Sequence, residues 1–162
     1  MGNSNTSPKD LFISGEKLPG WDICQQEIKN DHALVNYRDN NGKTALHRAL
    51  ELQAPEEVIE LILKYNADCI DDKDNNGLTP LHSALGRRHV SSASSIYRSV
   101  CSAGGIRGKS RQGQLPLHVA LENRADISVI QELLTAYPES IQEVYKGFLP
   151  LEDYATYGMI VT

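Results

Sequence analysis

Apolar residues in this chain gather in short clusters of helical spacing, and the clusters recur. Leu46, Ala49 and Leu50 share one helix face, as do Leu81, Ala84 and Leu85, and then Leu117, Ala120 and Leu121. A second cluster follows the first and third of these: Val58-Ile59-Glu60-Leu61-Ile62-Leu63 and Val129-Ile130-Gln131-Glu132-Leu133-Leu134. Both kinds of cluster are displaced by the same 71 residues, so a two-helix unit repeats in register. The second helices are expected to begin near Pro55 and Asp126, with apolar positions at i, i+1, i+4 and i+5 forming one broad stripe to bury. In the middle unit Val90, Ala93, Ile96, Tyr97 and Val100 are interleaved with Ser91, Ser92, Ser94, Ser95 and Ser99. Serine competes for backbone hydrogen bonds, which predicts the softest helix of the set. Upstream, Trp21, Cys24 and Ile28 lie on one face of a lone helix followed by His32-Ala33-Leu34-Val35.

Before each first helix stands a related string. Asn41-Gly42-Lys43-Thr44-Ala45-Leu46-His47 is echoed by Asn76-Gly77-Leu78-Thr79-Pro80-Leu81-His82 and by Gln112-Gly113-Gln114-Leu115-Pro116-Leu117-His118. A weaker copy is Gly147-Phe148-Leu149-Pro150-Leu151-Glu152, and the anchoring leucines are spaced by 35, 36 and 34 residues. The glycine suits a turn that needs positive φ, and the Asn before it suits the same turn. Thr44 and Thr79 can cap a helix, and Pro80 and Pro116 fall at the first helical position, where a missing N–H costs nothing.

These residues resemble the ankyrin repeat family, whose signature Gly-x-Thr-Pro-Leu-His-x-Ala is met in full by Gly77-Leu78-Thr79-Pro80-Leu81-His82-Ser83-Ala84. The segment Gly42 to Ala49 departs from it only at Ala45. The resemblance covers roughly residues 20 to 155 and implies an all-α, ankyrin-type helical solenoid of antiparallel helix pairs with projecting loops. On that basis the chain divides into a polar flexible tail (1–18), an incomplete N-terminal capping repeat (19–38), repeats at 39–73, 74–109 and 110–143, and a partial C-terminal repeat (144–162). Leu115 and Leu149 replace the capping threonine, Glu152 replaces the histidine and Tyr154 lies near the expected small alanine. Either the stack ends abruptly there or the chain is a piece of a longer one, and the fragment is the preferred reading.

By the same resemblance the chain is a protein–protein interaction module, a scaffold or adaptor that holds a partner protein in a concave groove. The implied contact residues are Asn40, Asn41, Lys43, Glu51 and Leu52; Asn75, Asn76, Leu78 and Arg87; and Arg111, Gln112, Gln114, Glu122 and Asn123. Aromatic anchors are few, with Tyr145 and Phe148 near the far end. His47, His82 and His118 occupy matching places in successive units, so the implied role of each ring is to tie its turn to the capping hydroxyl. For His118 that hydroxyl is missing.

Composition narrows the alternatives. A formal charge of −5, from 21 acidic and 16 basic side chains, draws nothing toward nucleic acid, and Arg87-Arg88-His89 is the sole compact basic cluster. Cys24, Cys69 and Cys101 form no Cys-x-x-Cys pair and read as reduced core thiols. Gly104 to Ser110 ends in Gly-Lys-Ser but lacks the glycine spacing of a phosphate loop, so a projecting loop is expected. No catalytic group, cofactor or metal site is expected, and the chain is expected to be a cytoplasmic monomer, since the N-terminus carries no secretory apolar run. Met1-Gly2-Asn3-Ser4-Asn5-Thr6 fits the N-myristoylation pattern, and peripheral membrane attachment is expected only if Gly2 is acylated. The competing reading makes these repeats the targeting segment of a larger enzyme, such as a kinase, with its catalytic part beyond Thr162.

Overall fold

A computed structural model describes residues 20–86 and 94–145, with side chains from 97 onward in the second stretch. Its α-helices are α1 (Trp21–Asn30), α2 (Ala45–Glu51), α3 (Glu56–Tyr65), α4 (Pro80–Leu85), α5 (Ser94–Ser102), α6 (Pro116–Glu122) and α7 (Ile127–Ala136). Short 3₁₀ turns at His32–Asn36, Ala67–Ile70, Gly105–Arg107 and Pro138–Gln142 follow the longer helices. Among the described residues there is no named strand, only an isolated bridge between Arg38 and Thr44.

The helices stack in two rows. The short helices α2, α4 and α6 touch in sequence to make an inner row, and α1, α3, α5 and α7 touch in sequence to make an outer one. Between the rows runs a continuous core in which Leu46, Ile59, Ile62, Leu81, Leu85, Leu117 and Leu121 are almost fully buried. Ala49 and Ala120, both 0% exposed, let inner helices approach closely. No unit could bury its apolar stripe alone, and each closes on the next.

Local chemistry sets each helix boundary. Thr44 Oγ1 accepts from the His47 N–H, and Pro80 and Pro116 open α4 and α6. Inner helices α2 and α6 end in the same way: Gln53 and Arg124 take φ of 54°, and the N–H groups of Ala54 and Ala125 donate back to Ala49 and Ala120. After the outer helices, Asp31 and Asn66 side chains accept from Ala33 and Cys69 to start the 3₁₀ turns. The lone helix read around Trp21 is α1, with Cys24 and Ile28 at 0% exposure and Trp21 packed on the core.

The serine-interleaved segment forms α5, where Tyr97 and Val100 are buried. Ser99 Oγ leaves its own backbone alone and donates to Glu56 Oε1 of α3 at 2.7 Å. Val90, Ser91, Ser92 and Ala93, and the fourth string Gly147 to Glu152, lie outside the described residues. No helix among the described residues is long and apolar enough to cross a membrane.

Candidate functional site

Three loop fingers project ahead of the inner helices and are built alike. Asp39 N–H donates to Lys43 O, Asp74 N–H to Leu78 O and Ser110 N–H to Gln114 O, all at 2.9 Å. Each finger then turns at a glycine of positive φ: 74° at Gly42, 79° at Gly77 and 86° at Gly113. Asp39 Oδ1 accepts from the N–H groups of Asn41 and Lys43, and Asp74 Oδ1 from those of Asn76 and Leu78. Burial works against ionised Asp39, but these N–H donors and the Arg48 guanidinium outweigh it and hold its carboxyl below the usual range. Neighbouring fingers are bonded through their backbones, Asn75 N–H to Asn41 O at 2.9 Å and Arg111 N–H to Gly77 O at 2.8 Å. The tips therefore form one ribbon in register rather than independent loops.

The three histidines hold that ribbon to the inner helices. His47 Nδ1 lies 2.9 Å from Thr44 Oγ1 and its Nε2 lies 3.0 Å from Leu78 O in the next finger. His82 repeats this with Thr79 Oγ1 at 2.6 Å and Gln114 O at 2.8 Å. Since a carbonyl only accepts, Nε2 carries the proton and donates, leaving Nδ1 to accept. In the third unit, where Leu115 removes the hydroxyl, His118 Nδ1 accepts the Leu115 N–H at 3.0 Å and Nε2 reaches Glu143 O at 3.0 Å. Burial pushes His47 and His82 below the ordinary imidazole pKa, so both rings are neutral. Both nitrogens of each ring are committed to structural bonds. The cross-unit half of each bond was not foreseen from the sequence, because its acceptor is a backbone carbonyl 31 or 32 residues away in the first two units.

Of the contact residues expected from the sequence, Asn40, Asn41, Asn75, Asn76, Arg111, Gln112 and Glu122 are exposed. Lys43, Leu52, Leu78 and Asn123 are half-buried, and Arg87 lies outside the described residues, as do Gly2 and Phe148. Two positions expected on the surface are corrected. Glu51, 6% exposed, is enclosed by ion pairs with Lys43 and Arg48 and accepts Ser83 Oγ from the next unit at 2.5 Å. Gln114, 8% exposed, has its amide turned onto Glu122 Oε2 at 2.9 Å and its carbonyl onto His82. Both groups are consumed within the stack, so neither is presented to a partner.

Arg48 completes the first unit's polar face by bonding Asp39 as well as Glu51. Sequence reasoning passed over Asp39, Arg48, Asp74 and Ser83, although the aspartates recur at the 35-residue period and could have been found that way. Buried thiols offer no chemistry here: burial raises Cys24, and pushes Cys69 and Cys101 up to about 12. Among the described residues the finger face is polar and brings no nucleophile and base together.

Residues 51–94, from the end of α2 through the second finger and α4, match the family model described as ankyrin repeats (many copies). Over that segment the chain carries ankyrin repeats. Ankyrin repeats are in general protein–protein interaction modules. No curated protein matches the chain.

Proposed function

We propose that this ankyrin stack is a non-catalytic scaffold or adaptor that binds a partner protein along the groove formed by its finger tips and inner helices. The observation that carries the reading is the ribbon of bonded fingers. It presents Asn40, Asn41, Asn75, Asn76, Arg111 and Gln112 at fixed relative positions, with the ordering entropy already paid for by folding. A preorganised polar row suits a protein surface better than a small molecule, which would need an enclosed apolar pocket.

The test is capture of partners by the full chain, compared with a tip variant carrying Asn41→Tyr, Asn76→Tyr and Gln112→Tyr. An outer-face control carries Glu57→Tyr and Glu60→Tyr. Loss of partners in the tip variant alone supports the groove. Equal loss in both, or in neither, contradicts it. The same reading places the protein in the cytoplasm, with membrane attachment only when Gly2 is acylated. An intact mass lacking the acyl increment, in protein made in a eukaryotic cell, removes that part.

A further inference from the structure

The first two fingers carry the same four residues, Asp39-Asn40-Asn41-Gly42 and Asp74-Asn75-Asn76-Gly77, whereas the third reads Ser110-Arg111-Gln112-Gly113. An asparagine followed by glycine can react with its own backbone, because a glycine without Cβ leaves the next amide nitrogen open to the side-chain carbonyl. Glutamine needs a larger ring and reacts far more slowly. Asn41 and Asn76 are both exposed, while Gly42 and Gly77 are both buried. Each glycine N–H is tied into its own turn at 2.9 Å, Gly42 to Asp39 O and Gly77 to Asp74 O. The two fingers differ at the other end of that peptide. Asn41 O accepts the Asn75 N–H at 2.9 Å, but Asn76 O accepts from no group among the described residues, since the third finger bonds one residue later, at Gly77 O. Asp39 is fastened further by Arg48, whereas Ser83 stands at that place in the second repeat and turns to Glu51.

We propose that Asn76 is a site of spontaneous deamidation in the folded protein, and that Asn41, in an identical tetrapeptide, is protected by the second finger. Gly77 N loses its proton to hydroxide and attacks Asn76 Cγ. The N–Cγ bond forms, the Cγ–Nδ2 bond breaks, and Nδ2 leaves as ammonia with a proton from water. Water then opens the cyclic imide at either carbonyl, giving aspartate or its β-linked isomer, so the net change is one water taken up and one ammonia lost. Removing the Gly77 proton breaks the turn bond, so the finger must open locally before it reacts. Swinging the peptide toward Cγ also breaks any bond that its carbonyl accepts. Opening therefore costs the Asn41–Gly42 peptide one more backbone bond than the Asn76–Gly77 peptide, and one net bond corresponds to roughly fivefold in an equilibrium. The product places a negative charge, and in the isomer an extra backbone methylene, in the middle finger of the ribbon. The reaction needs no partner.

The experiment incubates the full chain at mildly alkaline pH, folded and in concentrated urea, and follows each asparagine by peptide mass spectrometry. In urea the two sites should react at similar rates, because their tetrapeptides are the same. In the folded chain Asn76 should react at least about fivefold faster than Asn41, and both more slowly than in urea. Asn75→Pro suits the second position of its turn but removes the N–H that Asn41 O accepts. It should raise the Asn41 rate by about fivefold, although Asn41 lies in the other finger. Equal folded rates, faster reaction at Asn41, or no product at Asn76 overturns the proposal. So does a folded ratio no larger than the urea ratio, which would trace the difference to sequence alone. An Asn41 rate unchanged in an Asn75→Pro chain of native circular dichroism overturns it as well, and the wild-type ratio decides even if that variant fails to fold.

Discussion

Replacing His82 with leucine removes a link between two repeats while nearly preserving side-chain volume. The ring is 0% exposed and bonded at both nitrogens, to Thr79 Oγ1 at 2.6 Å and to Gln114 O at 2.8 Å. Leucine leaves a buried hydroxyl, in a residue 0% exposed, and a buried carbonyl without that partner. At about 1–3 kcal/mol for each of the two abandoned groups, the loss should be about 2–6 kcal/mol, which for a domain of this size is a large part of the total. Because the Nε2 bond spans units, the damage should also appear as weaker coupling between neighbours. Equilibrium urea unfolding followed by far-ultraviolet circular dichroism measures both, the first as a lower midpoint and the second as a shallower transition. A loss below about 1 kcal/mol with an unchanged slope would refute the reasoning. It would mean that the histidine fills space and ties nothing.

Other expectations follow from the same geometry. Glu51→Leu should destabilise by about 3–5 kcal/mol, since it strands the Lys43 ammonium and the buried Ser83 hydroxyl while Arg48 keeps only Asp39; a change under about 1 kcal/mol in the same unfolding assay would show that solvent screens them. Gly77→Ala should cost more than Gly113→Ala. Both force a side chain to positive φ, about 1–2 kcal/mol, but only at Gly77 would the new Cβ meet another atom, Arg111 Cβ at 2.3 Å. Equal losses in the two variants would contradict the tight finger-to-finger approach. Stability should also depend on pH. His47 and His82 have folded pKa values below the ordinary 6.5, so the unfolded chain binds more protons as pH falls. Their contribution is intact above about 6.5 and is lost as pH falls through the folded values. Urea midpoints measured between pH 7.5 and 5 should drop, and should drop less steeply in His82→Leu. An identical slope in that variant would deny His82 a titrating role.

The inner helices were readable in the sequence because their causes are local: a glycine for positive φ, a capping threonine or opening proline, and apolar residues at helical spacing. The outer helices were legible for the same reason, their stripes at Val58–Leu63 and Val129–Leu134 lying within α3 and α7. What was not legible depends on the neighbouring unit. Glu51 looked like a surface residue at the end of a helix, and it is enclosed because Ser83, Lys43 and Arg48 converge on it. Gln114 looked like a finger-tip contact, yet its side chain folds back onto Glu122 eight residues on. His118 has no capping hydroxyl and keeps only the backbone half of the pair, the Leu115 N–H on Nδ1, which the Thr44 N–H also supplies to His47. Short 3₁₀ turns such as Ala67–Ile70 and Gly105–Arg107 carry no apolar period to announce them. Periodicity thus revealed which residues share a face, while the contact between units decided which of them remain available.

In the proposed function the finger ribbon and inner helices are the face a partner protein covers. Hydrogen–deuterium exchange of the full chain, alone and with the partner it captures, tests it most directly. Exchange in the complex is expected to slow at amides of 40–43, 75–78 and 111–114, with exchange in α3 and α7 unchanged. Protection confined to the outer helices α3, α5 and α7, with the fingers exchanging as in the free chain, would contradict it.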